Sequence, residues 1–213
     1  MSAFLPDGAT VALATAYGSS KSVTAITNAN PGVITAAAHG MANGAFYELK
    51  SGWQKVNDRV FKAANVATNA VDLTGIDTTD TTRFPAGSGT GSLREITAFT
   101  QISQILEFTT SGGEQQFANF SFMEEDYERQ LPTITSAQSI QIGIADDPTL
   151  AGYIALKAAG EARAIRALKV TLPNNSVIMY NGYVSFNETP TLTKGSVMQV
   201  TATISLQGRP TRY

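Results

Sequence analysis

The chain has 213 residues, of which 43% are hydrophobic and only 15% are charged, and its formal net charge is −2. Globular domains usually carry about 25% charged residues, so the low charge suggests that much of the surface meets other protein. The near-neutral balance excludes the basic footprint of a nucleic-acid-binding domain. The absence of cysteine excludes disulfides and thiolate metal sites.

The sequence contains no apolar run long enough to span a bilayer. Its first residues, MSAFLPDGATVALATAYG, lack the basic segment that opens a secretory signal. We therefore expect the protein to be made in a cytoplasm, to stay there at least until it assembles, and to have no membrane partner.

The first 90 residues predict short strands separated by turns. ATVALATA is typical of a strand, and four β-prone runs follow between residues 31 and 84: GVITAAAHG, GAFYELKSG, DRVFKAANV and NAVDLTGID. Each is bounded by Gly, Asn or Asp at the spacing of a small all-β unit. Residues 77–92 are rich in turn residues and predict an exit linker. The pattern predicts a small β domain, 31–89, inserted into a core domain made of 1–30 and 90–213.

Clearer strand patterns follow in the second half of the chain. REITAFTQISQILEF predicts one strand over 96–108, and SIQIGI predicts a half-buried strand from Ser139. Residues 123–138, which lie between them, predict a long polar loop. The apolar face of the first strand is predicted to carry Ile96, Ala98, Ile102, Leu106 and Phe108.

ADDPTLAGYIALKAAGE predicts the one helix. Asp146 or Asp147 could accept the free N–H groups of its first turn, Pro148 fits its first position, and Gly160 is a natural stop. Its apolar stripe at helical spacing is Leu150, Tyr153, Ile154 and Ala158.

The C-terminal segment predicts a hairpin and one very regular strand. LKVTLPNNSVIMYNGYVSF, residues 168–186, places two alternating runs around a Pro-Asn-Asn turn, and VMQVTATISLQ alternates throughout. One face of this last strand carries Met198, Val200, Ala202, Ile204 and Leu206. The other carries Gln199, Thr201, Thr203 and Ser205, which are polar but uncharged.

The sequence offers no residue set for catalysis. His39, the only histidine, lies in AAAHGMANG and is explained more simply by a turn than by a general base, which would need an acid, a nucleophile and a pocket. One histidine without cysteine leaves zinc an unusual ligand set. AGSGTGS lacks the lysine and spacing of a phosphate loop. We expect no enzymatic activity, no cofactor and no metal.

The densest charge cluster consists of Glu124, Glu125, Asp126, Glu128 and Arg129. A calcium loop would alternate its oxygen ligands and place a glycine at its sharp turn, and this cluster does neither. Two interpretations stay open: a solvated loop tip, or an electrostatic contact with another subunit.

The order of elements from residue 92 onwards resembles the major tail tube proteins of long-tailed, lambda-like bacteriophages (siphoviruses). LAGYIALKAAGE precedes AIRALKVTL, a Pro-Asn turn and VIMYNGYVSF, in which Gly182 and Tyr183 stand where the family has Gly-Trp. The Thr-rich last strand ends in LQGRPTRY, which matches the family's Gly-Arg-Pro ending. Residues 31–85 depart from the lambda pattern and resemble a small module found in various phage structural proteins.

The resemblance implies a mainly β fold of two packed antiparallel sheets, a β-sandwich or barrel, with one flanking α-helix. It implies a structural protein of the virion that forms hexameric rings stacked into a tail tube. The tube would grow on a tape-measure protein, be capped by a tail terminator, and conduct double-stranded DNA into the host without sequence-specific binding.

The resemblance also suggests two sets of site residues. A bore must not hold its cargo through cations, so the polar face with Gln199, Thr201, Thr203 and Ser205 is the first candidate for the lumen, and the strand at 96–108 is the second. In the family a long loop between two sheet strands contacts the next ring. The corresponding inter-ring residues here would be Glu124, Glu125, Asp126 and Arg129.

Two alternative functions remain open from the sequence. The inner tube of a contractile injection system shares the fold, and only the presence of a sheath would separate it. A carbohydrate- or cell-binding β module of a tail fibre or adhesin would need exposed aromatic residues, for which Trp53 and Tyr47 are the candidates.

Overall fold

A computed structural model describes residues 7–213 of the protein, which contain sixteen strands and one α-helix. The first eight strands are β1 (Thr10–Tyr17), β2 (Lys21–Val23), β3 (Ala25–Ile26), β4 (Gly32–Thr35), β5 (Phe46–Ser51), β6 (Arg59–Lys62), β7 (Ala70–Leu73) and β8 (Gly91–Ile102). The others are β9 (Ile105–Ser111), β10 (Gln115–Phe120), β11 (Arg129–Thr135), β12 (Ser139–Ala145), β13 (Ile165–Thr171), β14 (Val177–Thr191), β15 (Gln199–Leu206) and β16 (Thr211–Arg212). The helix α1 (Ala151–Ala162) lies between β12 and β13.

Eleven strands form one curled antiparallel sheet in the order β6-β5-β8-β1-β13-β14-β15-β12-β9, with β2 beside β8 and β16 beside β14. β3, β4 and β7 form a three-stranded sheet, and β10 and β11 pair with each other. The mainly β architecture with one flanking helix, predicted from the sequence, is confirmed.

The period-two pattern of β12 and β15 places their apolar side chains on one face of the sheet. They bury in a core shared with β1, β13 and α1, in which Leu156 of the helix is fully buried. The predicted alternation of β15 is therefore confirmed from Val200 to Ile204. Met198 is the exception, because the strand begins after it and its side chain is half exposed. The buried strand residues are Ile140, Ile142, Ile144, Val200, Ala202 and Ile204.

A second core lies between the three-stranded sheet and the β5–β6 end of the large sheet. Trp53, Tyr47 and Phe61 are its largest fully buried side chains. Val23 and Leu93, from outside the predicted insertion, also belong to this cluster. β5 pairs with β8 along its whole length. A separate domain over residues 31–89 stays a prediction. Residues of this segment share a sheet with β8 and a hydrophobic core with Val23 and Leu93.

A buried polar network joins β5 to the rest of the large sheet. The carboxylate of Glu48 accepts hydrogen bonds from Arg94 Nε at 2.6 Å and from Asn181 Nδ2 at 3.1 Å. The Arg94 guanidinium lies 4.0 Å from the centre of the Tyr17 ring, and burial raises the pKa of the Tyr17 hydroxyl. β5 and its neighbour β8 are thereby tied to the distant strand β14 through one carboxylate, whose charge is compensated by its partners as a buried charge requires.

The C-terminal residues close the β6 end of the large sheet. β16 pairs with β14, the Thr211 hydroxyl donates to the carbonyl of Val60, and the Lys62 N–H donates to the Tyr213 hydroxyl at 3.0 Å. Arg59 Nε also donates to the carbonyl of Arg209 at 3.0 Å. The segment that follows the Gly-Arg-Pro motif therefore covers the last strand of this end.

The predicted strand at 96–108 is wrong in one respect, because the chain breaks it into β8 and β9. Gln104 has a φ of 56°, in the left-handed region, which turns the chain out of one strand and into the next. Ile96 and Ile102 are buried in β8, whereas Leu106 and Phe108 of β9 are exposed. The sequence pattern continues across the break because both sides alternate.

The helix begins and ends later than the sequence predicts. Asp147 accepts hydrogen bonds from the N–H and the hydroxyl of Thr149, so it stabilises the turn before the helix instead of capping it. The helix starts at Ala151, continues through Gly160, and ends where Arg163 adopts a φ of 47°. Gly160 therefore does not stop the helix, and a Cβ at this position would lie 3.4 Å from Phe186.

Two glycines of α1 should respond oppositely to alanine. Alanine favours a helix by about 1 kcal/mol over glycine, but a Cβ at Gly152 would lie 2.8 Å from the Cα of Ile102, closer than packed atoms tolerate. We expect Gly152→Ala to lower the free energy of unfolding by about 1–3 kcal/mol, as overpacking does. At Gly160 the nearest atoms are 3.4 Å away, so Gly160→Ala should leave stability unchanged or raise it. Urea unfolding of the unassembled protein measures both, and a stabilised Gly152→Ala would contradict this packing.

Candidate assembly surfaces

β14, β15, β12 and β9 form a half-sheet with one face on the core shared with β1, β13 and α1, and the other face open. The register aligns the open side chains in rows across the four strands. The three rows, here called the polar face, are Tyr183–Ser205–Ser139–Ser111, Ser185–Thr203–Gln141–Thr109 and Asn187–Thr201–Gly143–Glu107.

The polar face consists almost entirely of hydroxyl and amide groups. Among the residues of the three rows, Glu107 alone has a charged side chain, and this side chain is exposed. Gln199 extends the polar face by one position along β15. Its side-chain amide lies over Gly143, and a Cβ at residue 143 would overlap that amide. The sequence predicted Gln199, Thr201, Thr203 and Ser205 to share one face, and they do lie opposite the outward positions of β12.

Sequence reasoning missed Glu107 and its row. Apolar and polar side chains alternate only over residues 106–109, and Glu107, Thr109 and Ser111 lie on the polar side of this strand. The prediction ended the strand at residue 108 and placed Thr109 and Ser111 outside it. In the structure β9 is a separate strand beside β12, and this pairing places Glu107 opposite Gly143.

Both outer edges of the half-sheet lack a strand partner among residues 7–213. β9 pairs only with β12. On the other side, β13 pairs with β14 only as far as Tyr183, so residues 184–191 are bonded to β15 alone. Pro190, which has no N–H to donate, lies in this free stretch, as proline does on edge strands.

The helix α1 lies beside the free edge of β14 and contacts it through side chains. It forms no hydrogen-bonded ladder with the β14 backbone, as a neighbouring strand would. Lys157 Nζ contacts Glu188 Oε2 at 2.8 Å, and this hydrogen bond raises the pKa of Lys157. Tyr153 packs edge-on against Phe186, with ring centres 4.9 Å apart. These contacts fix where the free stretch of β14 lies relative to the core.

Residues 112–138 form a projecting hairpin, here called the arm. The predicted loop at 123–138 is therefore partly wrong, because Arg129–Thr135 is strand β11, paired with β10. All residues of both strands are exposed except Phe120, which is half-buried. The sequence shows no alternation here because neither face meets a core. The exposed large apolar residues of the arm are Phe117, Phe122, Met123, Tyr127, Leu131 and Ile134.

The arm continues the β9–β12 hairpin beyond a glycine pair. Gly112 and Gly113 have φ values of 80° and 85°, and a Cβ on Gly112 would overlap the carbonyl oxygen of Ala137. The Ser136 N–H donates to the Glu114 carbonyl at 2.8 Å, so the ladder resumes at once. Both glycines are required where the hairpin leaves the sheet.

The arm tip carries the acidic cluster that the sequence predicted. Arg129 pairs with Glu125 inside the arm and lies over the Tyr127 ring. Glu124 and Asp126 are exposed, and neither forms an ion pair within the described part of the chain. The tip therefore keeps a net negative charge beside exposed apolar side chains.

Other candidate residues are used inside the fold. The ring of His39 accepts the N–H of Met41 at Nδ1 and contacts the Ala70 carbonyl through Nε2, which agrees with the predicted turn. Trp53 and Tyr47 are buried and donate to the carbonyls of Pro85 and Asp72. Neither aromatic ring can stack on a sugar, so the carbohydrate-binding alternative loses the residues proposed for it.

Within residues 7–213, the acidic and histidine side chains form no group of three or more that could hold a metal ion. The one helix in that range is too short to cross a membrane. The surfaces that stand out among the described residues are the polar face, its two free edges and the arm.

The chain matches one family of known proteins and shows a weak likeness to a solved structure. A chain in the cryo-electron-microscopy structure of the anti-feeding prophage (AFP) baseplate, six-fold symmetrised, matches 55% of this chain and 85% of its own length, at 10% identity and a TM-score of 0.38. That score is too low to carry an argument about the fold. A comparison with curated proteins gives no match. The model of the phage tail tube protein family (TTP) matches residues 51–213, more than half of the chain, and the protein therefore belongs to the phage tail tube protein family, whose members are structural proteins of the virion tail.

Proposed function

We propose that six copies of the chain close into a ring through the two free edges of the half-sheet, and that stacked rings form the conduit for phage DNA. One observation carries this proposal: a four-stranded half-sheet with a nearly uncharged open face has both its edges unpaired among residues 7–213. Exposed sheet edges are a liability for a monomer. Pairing of the two free edges between identical copies would leave no exposed edge in a closed ring.

The edges complement each other in a closed ring. The β9 edge of one copy would lie against residues 184–191 of β14 in the next, a head-to-tail contact that repeats until the rotation closes. Leu106 and Phe108 of β9 are large apolar side chains left 50% and 36% exposed, as expected for an interface residue. The ring size of six is what the resemblance to lambda-like tail tubes implies.

The polar face would then line the bore. A cation in the wall would pair with a DNA phosphate and release counterions, which holds the strand in place. The three rows of the face offer hydroxyls, amides and the carboxylate of Glu107, but no lysine or arginine. DNA would slide past such a wall without being bound.

The arm would join one ring to the next. An isolated two-stranded hairpin is at best marginally stable in water, and the arm exposes both of its faces with large apolar side chains. Contact with a second ring would bury them. A tape-measure protein and a tail terminator are the further partners, and assembly would take place in the host cytoplasm before the virion is complete.

The purified protein should form rings with a central hole, and tubes as its concentration rises. Negative-stain electron microscopy and sedimentation velocity would measure both, because a ring of six and a monomer sediment very differently. Protein that stays monomeric at the highest soluble concentration, with a folded circular-dichroism spectrum, would contradict self-assembly of this chain alone.

A further inference from the structure

The turn between β14 and β15 exposes an apolar patch that the fold does not use. All residues from Thr191 to Met198 are exposed, and three of them are large and apolar. Leu192 is 72% exposed, Val197 is 62% exposed and Met198 is 49% exposed. A turn of this kind usually carries small polar residues, so this patch, residues 192–198, needs another explanation. It is called the β14–β15 turn below.

The β14–β15 turn lies at the end of the half-sheet opposite the arm. The arm leaves the sheet beside the row that contains Ser111, Ser139 and Ser205. The turn joins the sheet beside Gln199, which pairs with Ala145 and Thr191. The eight residues of β15 separate the two surfaces by about 25 Å, at about 3.3 Å per residue.

The two surfaces are complementary in charge as well as in polarity. Lys194 is exposed in the turn, and no ion pair involves it in the described chain. The arm tip presents Glu124 and Asp126 beside Met123. Asp146 lies beside the turn, since its backbone N–H donates to the Met198 carbonyl, and the carboxylate of the neighbouring Asp147 accepts hydrogen bonds from Thr149.

We propose that the arm of each copy docks on the β14–β15 turn of a copy in the neighbouring ring. Met123 and Phe122 pack against Leu192, Val197 and Met198, while Glu124 and Asp126 face Lys194. The six- to seven-residue strands of the arm extend about 20 Å, which is long enough to cross a boundary between rings. This inference rests on the proposed tube and assigns the two surfaces that connect its rings.

A disulfide introduced between the two surfaces tests the contact directly, because the chain has no cysteine of its own. We expect the double variant Met123→Cys with Val197→Cys, assembled and then treated with oxidised glutathione, to crosslink into a ladder on a non-reducing gel. A contact between rings joins chains along the tube, so the ladder should extend beyond six chains. A contact within a closed ring would stop at six.

Matched variants separate this inference from the proposed tube. Each single cysteine variant should give dimers at most. The control pair Met123→Cys with Thr81→Cys should give no ladder, because Thr81 is exposed between β7 and β8 and is not part of either proposed surface. Tubes that form normally but yield no ladder from the 123/197 pair, or one that ends at six, would overturn the docking while leaving the tube intact. A wild-type protein that forms no rings would instead contradict the proposed function.

A charge exchange gives an independent readout. Glu124→Lys with Asp126→Lys should raise the protein concentration needed for stacking about tenfold, the size of one lost favourable charge contact, and Lys194→Glu should act in the same direction. Combining all three should restore stacking, because the signs are again opposite. A combined variant that stacks worse than either parent would contradict the pairing of these surfaces.

Discussion

Replacing Leu106 and Phe108 with lysine should abolish ring and tube formation while leaving the monomer folded. Both side chains lie on the free edge strand β9, and neither belongs to a hydrophobic core cluster of the described residues, so we expect the monomer to stay folded. In a ring each would be buried, and burying a side chain of this size contributes about 1.5–3 kcal/mol. The lysine variant would lose this apolar burial, and ring closure would also have to desolvate two ammonium groups. Both costs would apply at every subunit contact of the ring.

The assembly state and the fold are measured separately for this variant. Sedimentation velocity and electron microscopy report rings, and circular dichroism with urea unfolding reports the monomer. Thr81→Lys with Thr82→Lys adds the same charge at two exposed positions away from β9, and this control should assemble as the wild type does. Normal rings from the Leu106 and Phe108 variant would show that the β9 edge is not the ring contact.

Replacing Gln141 and Thr203 with lysine should produce virions that assemble but release their DNA poorly at low salt. The two residues lie opposite each other on β12 and β15, in the middle of the polar face. Repeated around each ring and along the stack, they would line the bore with ammonium groups that pair with phosphates. Because such binding releases counterions, retention of DNA should fall by orders of magnitude between about 50 mM and about 200 mM salt.

The salt response distinguishes a charged bore from a damaged tail. DNA release from purified virions can be followed by the fluorescence of an intercalating dye, with tail length checked by electron microscopy. Gln141→Thr with Thr203→Gln changes the same positions without adding charge and should release DNA at the wild-type rate. Fast release from the lysine variant at low salt, with normal tails, would show that the polar face does not line the conduit.

The features that the sequence predicted well are those set by local alternation next to a core. Val200, Ala202 and Ile204 are buried, and Thr201 and Thr203 lie on the opposite face, because strand geometry sends neighbours to opposite sides whatever the partner strands are. The same reasoning fails at Gln104, where one residue in a left-handed conformation turns the chain without changing its pattern. It also fails in the arm, since a hairpin without a core gives no burial pattern to detect.

Long-range pairing was beyond the reach of the sequence. The contact between Glu48 and Asn181 joins residues more than a hundred positions apart, and no local signal links them. Glu107 belongs to the polar face only because β9 pairs with β12. The role of Gly112 where the arm leaves the sheet follows from the nearby carbonyl of Ala137, a contact that the sequence alone does not show.

The placement of the arm at one end of the half-sheet would give the proposed stack of rings a direction. The last ring at one extremity would hold its hairpins out into solvent, and the ring at the other extremity would offer only bare turns. Elongation can therefore proceed differently at the two extremities, and the proteins that start and finish the tube need not resemble each other. An initiator protein and a terminator protein would each recognise its own end of the tube, because one end exposes the arms and the other exposes the β14–β15 turns.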